Sequence, residues 1–108
     1  MWLITTEGFF SAVADRDDDD FVLVRSRTRE DSMALAAAVE GAEVIETPQA
    51  DYRWRVRVRR SNWMSYVAAQ ALAIDYDNFK NAVAKRQGVE RAGVYGDVWS
   101  VLLRLQER

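Results

Sequence analysis

Over residues 52–59 the chain alternates at every position: Tyr52, Trp54, Val56 and Val58 hold one parity, and Arg53, Arg55, Arg57 and Arg59 the other. A period of two belongs to a β-strand, so this segment predicts a half-buried strand with an apolar face and a row of guanidinium groups. Residues 2–6 and 9–14 also read as strands, joined by a turn at Glu7-Gly8. The acidic stretch 15–20 then reads as a hairpin loop, and 21–27 as a third strand. There Val22 and Val24 share one face, while Leu23, Arg25 and Arg27 share the other.

The period lengthens after Thr28. Capping oxygens over residues 28–32, then Met33, Leu35, Ala36 and Val39 on one stripe, predict a short helix that stops before Gly41. Residues 43–46 form a brief strand, and 47–51 a turn-rich link into the arginine strand. If that link closes a hairpin around Gln49, Val44 lies opposite Trp54 and Glu43 opposite Arg55, so that an acid faces the arginine row. Ser61 or Asn62 is expected to cap a further helix carrying Trp63, Tyr66, Val67, Ala71 and Ile74. Asp75 and Asp77 are expected as the N-cap and first-turn anions of the next helix, which carries Phe79 and Val83. Beyond Gly88 a last helix carries Val94, Tyr95, Val98, Trp99, Leu102 and Leu105.

Three strands, a helix, two strands and three helices imply an α+β two-layer sandwich. Its sheet is mainly antiparallel, of four to five strands, and covered on one face by the C-terminal helices. A chain of 108 residues with no visible linker predicts a single domain, 1–108.

Charge changes this picture. The net charge is -2, but residues 1–51 hold twelve acids and four arginines (-8), and residues 52–108 hold five acids and eleven bases (+6). Two readings follow: the halves neutralise each other inside one fold, or they form opposite faces that select a partner. Thirteen of the fifteen basic residues are arginine, the side chain suited to planar, bidentate contacts, although a GC-rich coding bias favours it equally.

The candidate binding surface is therefore Arg53, Arg55, Arg57 and Arg59, extended by Arg25 and Arg27, and by Arg29 and Arg60 at its margin. Along a strand these groups recur about every 6.6 Å, a pitch comparable to that of nucleic-acid phosphates. The competing reading is an ordinary solvent-facing strand whose arginines pair with Glu43, Glu46 and the aspartate loop. Four tryptophans together with many arginines also suit a protein-protein interface.

Catalysis has few reagents here. The chain has no His and no Cys, which removes the usual general base, the thiolate nucleophile and nearly every zinc site. The aspartates of the 15–20 loop lack the glycine and distal glutamate of a calcium loop. Neither metal nor cofactor is expected, and the chain reads as non-enzymatic. No run is apolar enough to span a bilayer and no secretion signal is present, so the expected location is the cytoplasm.

Three segments, residues 2–13, 50–55 and 74–83, resemble a family of small, functionally uncharacterised bacterial proteins found especially in actinobacteria and also in their phages. The resemblance implies no mechanism, cofactor or partner. It directs attention to Asp51, Tyr52 and Arg53, and to Asp75, Tyr76, Asp77, Asn78, Phe79 and Lys80 as a shared surface. The leading expectation is a protein-protein interaction or regulatory module, with a protein partner or self-association. The alternative is weak, sequence-independent nucleic-acid binding through the arginine-lined sheet face.

Overall fold

A computed structural model of the chain describes residues 1–106. They fall into two compact units, Met1–Ile74 and the residues from Asp75 onward.

The first unit is an α+β two-layer fold. Strands β1 (Trp2–Thr5), β2 (Gly8–Ala14), β3 (Phe21–Ser26), β4 (Val44–Glu46) and β5 (Trp54–Arg59) form one antiparallel sheet in the order β1-β2-β3-β5-β4. Helix α1 (Arg29–Ala38) connects β3 to β4, leaving room for β5 between them, and α2 (Arg60–Leu72) follows β5 directly. Both helices lie on one face. The core there joins Phe10, Val24, Val56 and Val58 of the sheet to Leu35 of α1 and to Trp63 and Tyr66 of α2. Fully burying such side chains contributes about 1.5–3 kcal/mol each before chain entropy is counted.

The strand parities read in the sequence are realised in β3 and, from Trp54 onward, in β5, with Val22, Val24, Val56 and Val58 all buried. The hairpin register is not. Val44 pairs with Val56, Ile45 with Arg55 and Glu46 with Trp54, two residues from the expected alignment, so Ile45 rather than Glu43 stands opposite Arg55. The link is longer than a turn about Gln49. Thr47 N–H donates to Arg53 O at 2.6 Å, and Thr47 Oγ1 donates towards Tyr52 O and Arg53 O, so the loop extends through Arg53.

Helix α1 starts as read: Thr28 Oγ1 accepts from Asp31 N at 3.2 Å. Its buried side is Asp31, Ser32, Leu35 and Val39, whereas Met33 is exposed. Gly8 is required where this helix meets the β1–β2 hairpin. A Cβ there would lie 2.9 Å from Asp31 Cγ, inside any tolerable contact. Helix α2 has no side-chain cap, contrary to the expectation for Ser61 or Asn62. It begins one residue after the sheet ends, and the loop preceding β3 satisfies its first donor, Arg60 N–H giving to Asp20 O at 2.7 Å.

Tyr66 carries a buried polar atom without a partner. Its Oη has no hydrogen bond among the described residues, and its pKa is pushed up to about 12, chiefly by burial and further by Glu7 and Asp31. A phenol that ionises at its ordinary value of 10 when unfolded and only near 12 when folded lowers stability as pH rises through that window. Tyr66→Phe should therefore be neutral to about 1 kcal/mol stabilising at neutral pH, because it deletes an unsatisfied hydroxyl. It should also flatten the alkaline decline. Chemical denaturation at neutral pH and between pH 10 and 12 checks both.

The second unit is a helical hairpin, α3 (Phe79–Gln87) against α4 (Val89–Leu102), with α4 prolonged by a 3-10 turn at Leu103–Leu105. Asn78 is the cap of α3, its side chain accepting from Asn81 N at 2.9 Å; Asp75 and Asp77 lie outside the helix, so neither holds the expected position. Gly88, with φ of 98°, ends α3 and starts α4, a conformation that L side chains rarely adopt. Val83 and Tyr95 are buried between the helices, and Phe79 stacks on Tyr95 with centroids 6.0 Å apart.

Candidate functional site

The sheet of the first unit has a second face, opposite the α1–α2 layer. The pairings Trp2↔Ser11, Ile4↔Phe9, Ser11↔Arg25, Leu23↔Arg57, Phe21↔Arg59 and Arg25↔Arg55 define it. A row of four arginines was expected here, extended by Arg25 and Arg27 of a neighbouring strand. Arg55, Arg57 and Arg59 do share this face, and Arg25 lies directly across from Arg55 because β3 and β5 are neighbours.

Tyr52 and Arg53 depart from the row. Residues 51–53 are bent rather than extended, so the strand's alternation begins only at Trp54. Tyr52 is buried not in the helical layer but on the arginine side. Arg27 and Arg25 lie over its ring at 4.1 and 4.6 Å, and Phe9 packs beside it at 6.4 Å. Arg53 instead binds Glu46 at 2.7 Å and lies near the Trp54 ring. Arg29 lines a groove of about 500 Å³ between α1 and β4, together with Met33 and Trp54, and Arg60 Nε donates to Asp19 O, so neither margin residue adds to the face.

Acids from the first half of the chain meet three of the four arginines at positions 53, 55, 57 and 59. Arg53 pairs with Glu46, Arg55 with Asp51 at 3.6 Å, and Arg57 with Asp15 at 3.0 Å. Mutual neutralisation is therefore the dominant arrangement, with Asp51 in place of Glu43. Asp15 does two things: its carboxylate also accepts from Asp17 N and Asp18 N, which ties up the acidic loop. The Arg57 guanidinium holds the Asp15 carboxyl below its ordinary range, against the opposing effect of burial. Among the described residues Arg25, Arg27 and Arg59 make no ion pair. Arg25 donates to Ser11 Oγ at 2.7 Å, and Arg27 to the carbonyl of Asp51.

Aromatic rings interleave with these guanidinium groups, which alternation within single strands does not reveal. Arg57 and Arg59 lie over Phe21 at 3.7 and 5.0 Å. Trp2, 68% exposed, meets Phe9 edge-on at 5.7 Å. A strip thus runs Trp2, Phe9, Tyr52, Arg27, while Phe21 and its two arginines form a second cluster at the other end of β3. Guanidinium planes held on rings are desolvated on one side and immobilised, leaving their N–H edges for a ligand's carboxylates or phosphates.

The second unit contributes a polar groove of about 420 Å³ at the start of α3, lined by Asp75, Tyr76, Asp77, Asn78, Lys85 and Arg86 among others. Asp75 approaches Arg86 at 4.0 Å. No cluster of three or more metal-ligating side chains occurs among the described residues, and no helix there is long and apolar enough to cross a membrane. No protein-family model matches the chain, and neither a curated protein nor a solved structure is matched by it.

Proposed function

We propose that the chain is a non-enzymatic, cytoplasmic protein-binding module, whose partner seats on the sheet face opposite α1 and α2. The observation that carries this reading is the strip of Trp2, Phe9 and Tyr52 clamped by Arg25 and Arg27. Trp, Tyr and Arg are the side chains that most often dominate binding energy: the rings give large contact area for little lost conformational freedom, and Arg adds a planar fork of donors. Here the arginines are already ordered on rings, and an indole stands out at the strip's end. A partner presenting carboxylates beside apolar groups fits that chemistry. Affinity capture from the host cytosol with the wild type and with Trp2→Ala/Arg27→Glu tests it. The expected result is a protein retained by the wild type, weakened at least about tenfold in the variant, and unaffected by Met64→Ala on α2. Equal retention by the wild type and the strip variant would remove the reading.

A second reading is weak, sequence-independent nucleic-acid binding. It is favoured by Arg25, Arg27 and Arg59, which have no carboxylate partner among the described residues, and opposed by the acids on Arg53, Arg55 and Arg57. Titrating a labelled single-stranded oligonucleotide separates the two. Binding at low salt that Arg55→Glu/Arg57→Glu abolishes, and that declines as salt rises, would support it; none at low salt would discard it.

A further inference from the structure

Helix α4 has two apolar sides, and α3 covers only one of them. Towards α3 lie buried Tyr95, stacked on Phe79, and, at the margin and 61% exposed, Trp99 with Lys80 over its ring at 4.8 Å. Val94, half-buried Val98 and Val101 run along the other, and Leu105 follows on the 3-10 turn that prolongs the helix, with Val94, Val101 and Leu105 exposed by 58%, 53% and 63%. Within α4 the spacings of four and three are the d-a-d repeat of a helix-pairing seam, and Leu105, four residues further in sequence, is the next apolar position on the 3-10 turn. A two-helix hairpin cannot bury such a second seam within itself.

We propose that this seam pairs with the same seam of a second copy of the chain, the two α4 helices running antiparallel about a two-fold axis. The proposal goes beyond the partner-binding reading of the sheet face and does not depend on it. The chain's own numbering supplies the argument. An antiparallel register that puts Val98 against Val101 of the other copy also puts Val94 against Leu105, so every seam residue meets a seam residue. That one register brings Asp97 of each copy beside Arg104 of the other, twice by symmetry, flanking the apolar layers. Both side chains are exposed and neither forms an ion pair among the described residues. In a parallel, in-register pair Asp97 would instead flank Leu102, and its charge would have no counterpart. A lipid surface suits the helix less well, since Glu90 and Asp97 balance Arg91 and Arg104 where an anionic membrane demands a basic side.

Four apolar layers amount to less than the roughly 1,200–2,000 Å² of a standard stable interface, so the dimer should be weak and concentration-dependent. Sedimentation equilibrium of the full chain tests it. The wild-type mass should climb towards twice that of the chain as concentration rises. Asp97→Arg alone and Arg104→Asp alone each turn two attractions into two repulsions, and each should weaken self-association by about tenfold. An equimolar mixture of the two variants should restore it. In the mixed pair the two substituted side chains attract each other across the seam, and so do the native Asp97 of one copy and the native Arg104 of the other. A wild type that stays monomeric, a dimer indifferent to either variant, or a mixture that fails to recover would each overturn the proposal.

Discussion

Phe10→Ala should cost the first unit about 3–5 kcal/mol, the range for deleting a large aromatic from a core that cannot collapse. Phe10 is fully buried on β2, and its ring stands edge-on to two others, Trp63 at 6.2 Å and Tyr66 at 5.9 Å. Those two are stacked on each other at 5.6 Å along α2, so neither can swing into the vacated space without giving up the stack. The loss is transfer free energy plus an aromatic-lined void plus two edge-to-face contacts. Against a typical total of about 5–15 kcal/mol, it would bring the unit close to unfolding at body temperature. Urea denaturation followed by tryptophan fluorescence measures it, with Phe10→Leu as the milder control. A cost below about 1 kcal/mol would mean that α2 is not held to the sheet through this ring cluster.

Asp31→Ala should cost about 2–4 kcal/mol, and through a different physical cause. β3 leaves the sheet after Ser26, so the Phe9 N–H on the neighbouring β2 faces no strand. Asp31, in the first turn of α1, replaces the missing strand carbonyl: its Oδ2 accepts from Phe9 N at 3.1 Å. The carboxylate is buried and also complements the helix dipole. Truncation removes a charge-assisted hydrogen bond and leaves a partly buried donor unsatisfied. Asp31→Asn, which keeps an acceptor oxygen, should cost half as much or less. Should the two substitutions prove equally damaging in thermal melts, the bond to Phe9 would not be the reason this aspartate is buried.

Much of the fold was legible because burial parity is a local property. Val22, Val24 and Val56 are each flanked on both sides by paired strands and Val58 on one side by β3, and alternation there has only one outcome. The register of β4 against β5 slipped by two residues, which leaves every side chain on its expected face, so no apolar pattern could have exposed the error. Tyr52 was misplaced for a related reason. Its parity matches Trp54, but Thr47 holds the chain in a bend just before the strand and turns the ring over. Over residues 75–78 three side chains, Asp75, Asp77 and Asn78, could cap a helix, and only the backbone path selects Asn78.

The candidate face was half legible. Its arginines were visible as a row, and an acid opposite them was expected. Two of the acids that arrive, Glu46 and Asp15 of the aspartate loop, were among those expected; Asp51, only four residues before Arg55, was not, because its carboxylate meets that arginine through the bend at residues 51–53. Phe9 and Phe21 could have been recognised as ring partners of Tyr52, Arg57 and Arg59 only once β3 was known to lie between β2 and β5.

Asp15 grips Arg57 while knotting the turn of its own loop. Any guest that offers Arg57 a carboxylate must first evict this tethered rival, and eviction slackens the loop. The face is thereby discriminating: a solitary acidic group gains nothing by the exchange, whereas a guest that also covers the neighbouring rings does.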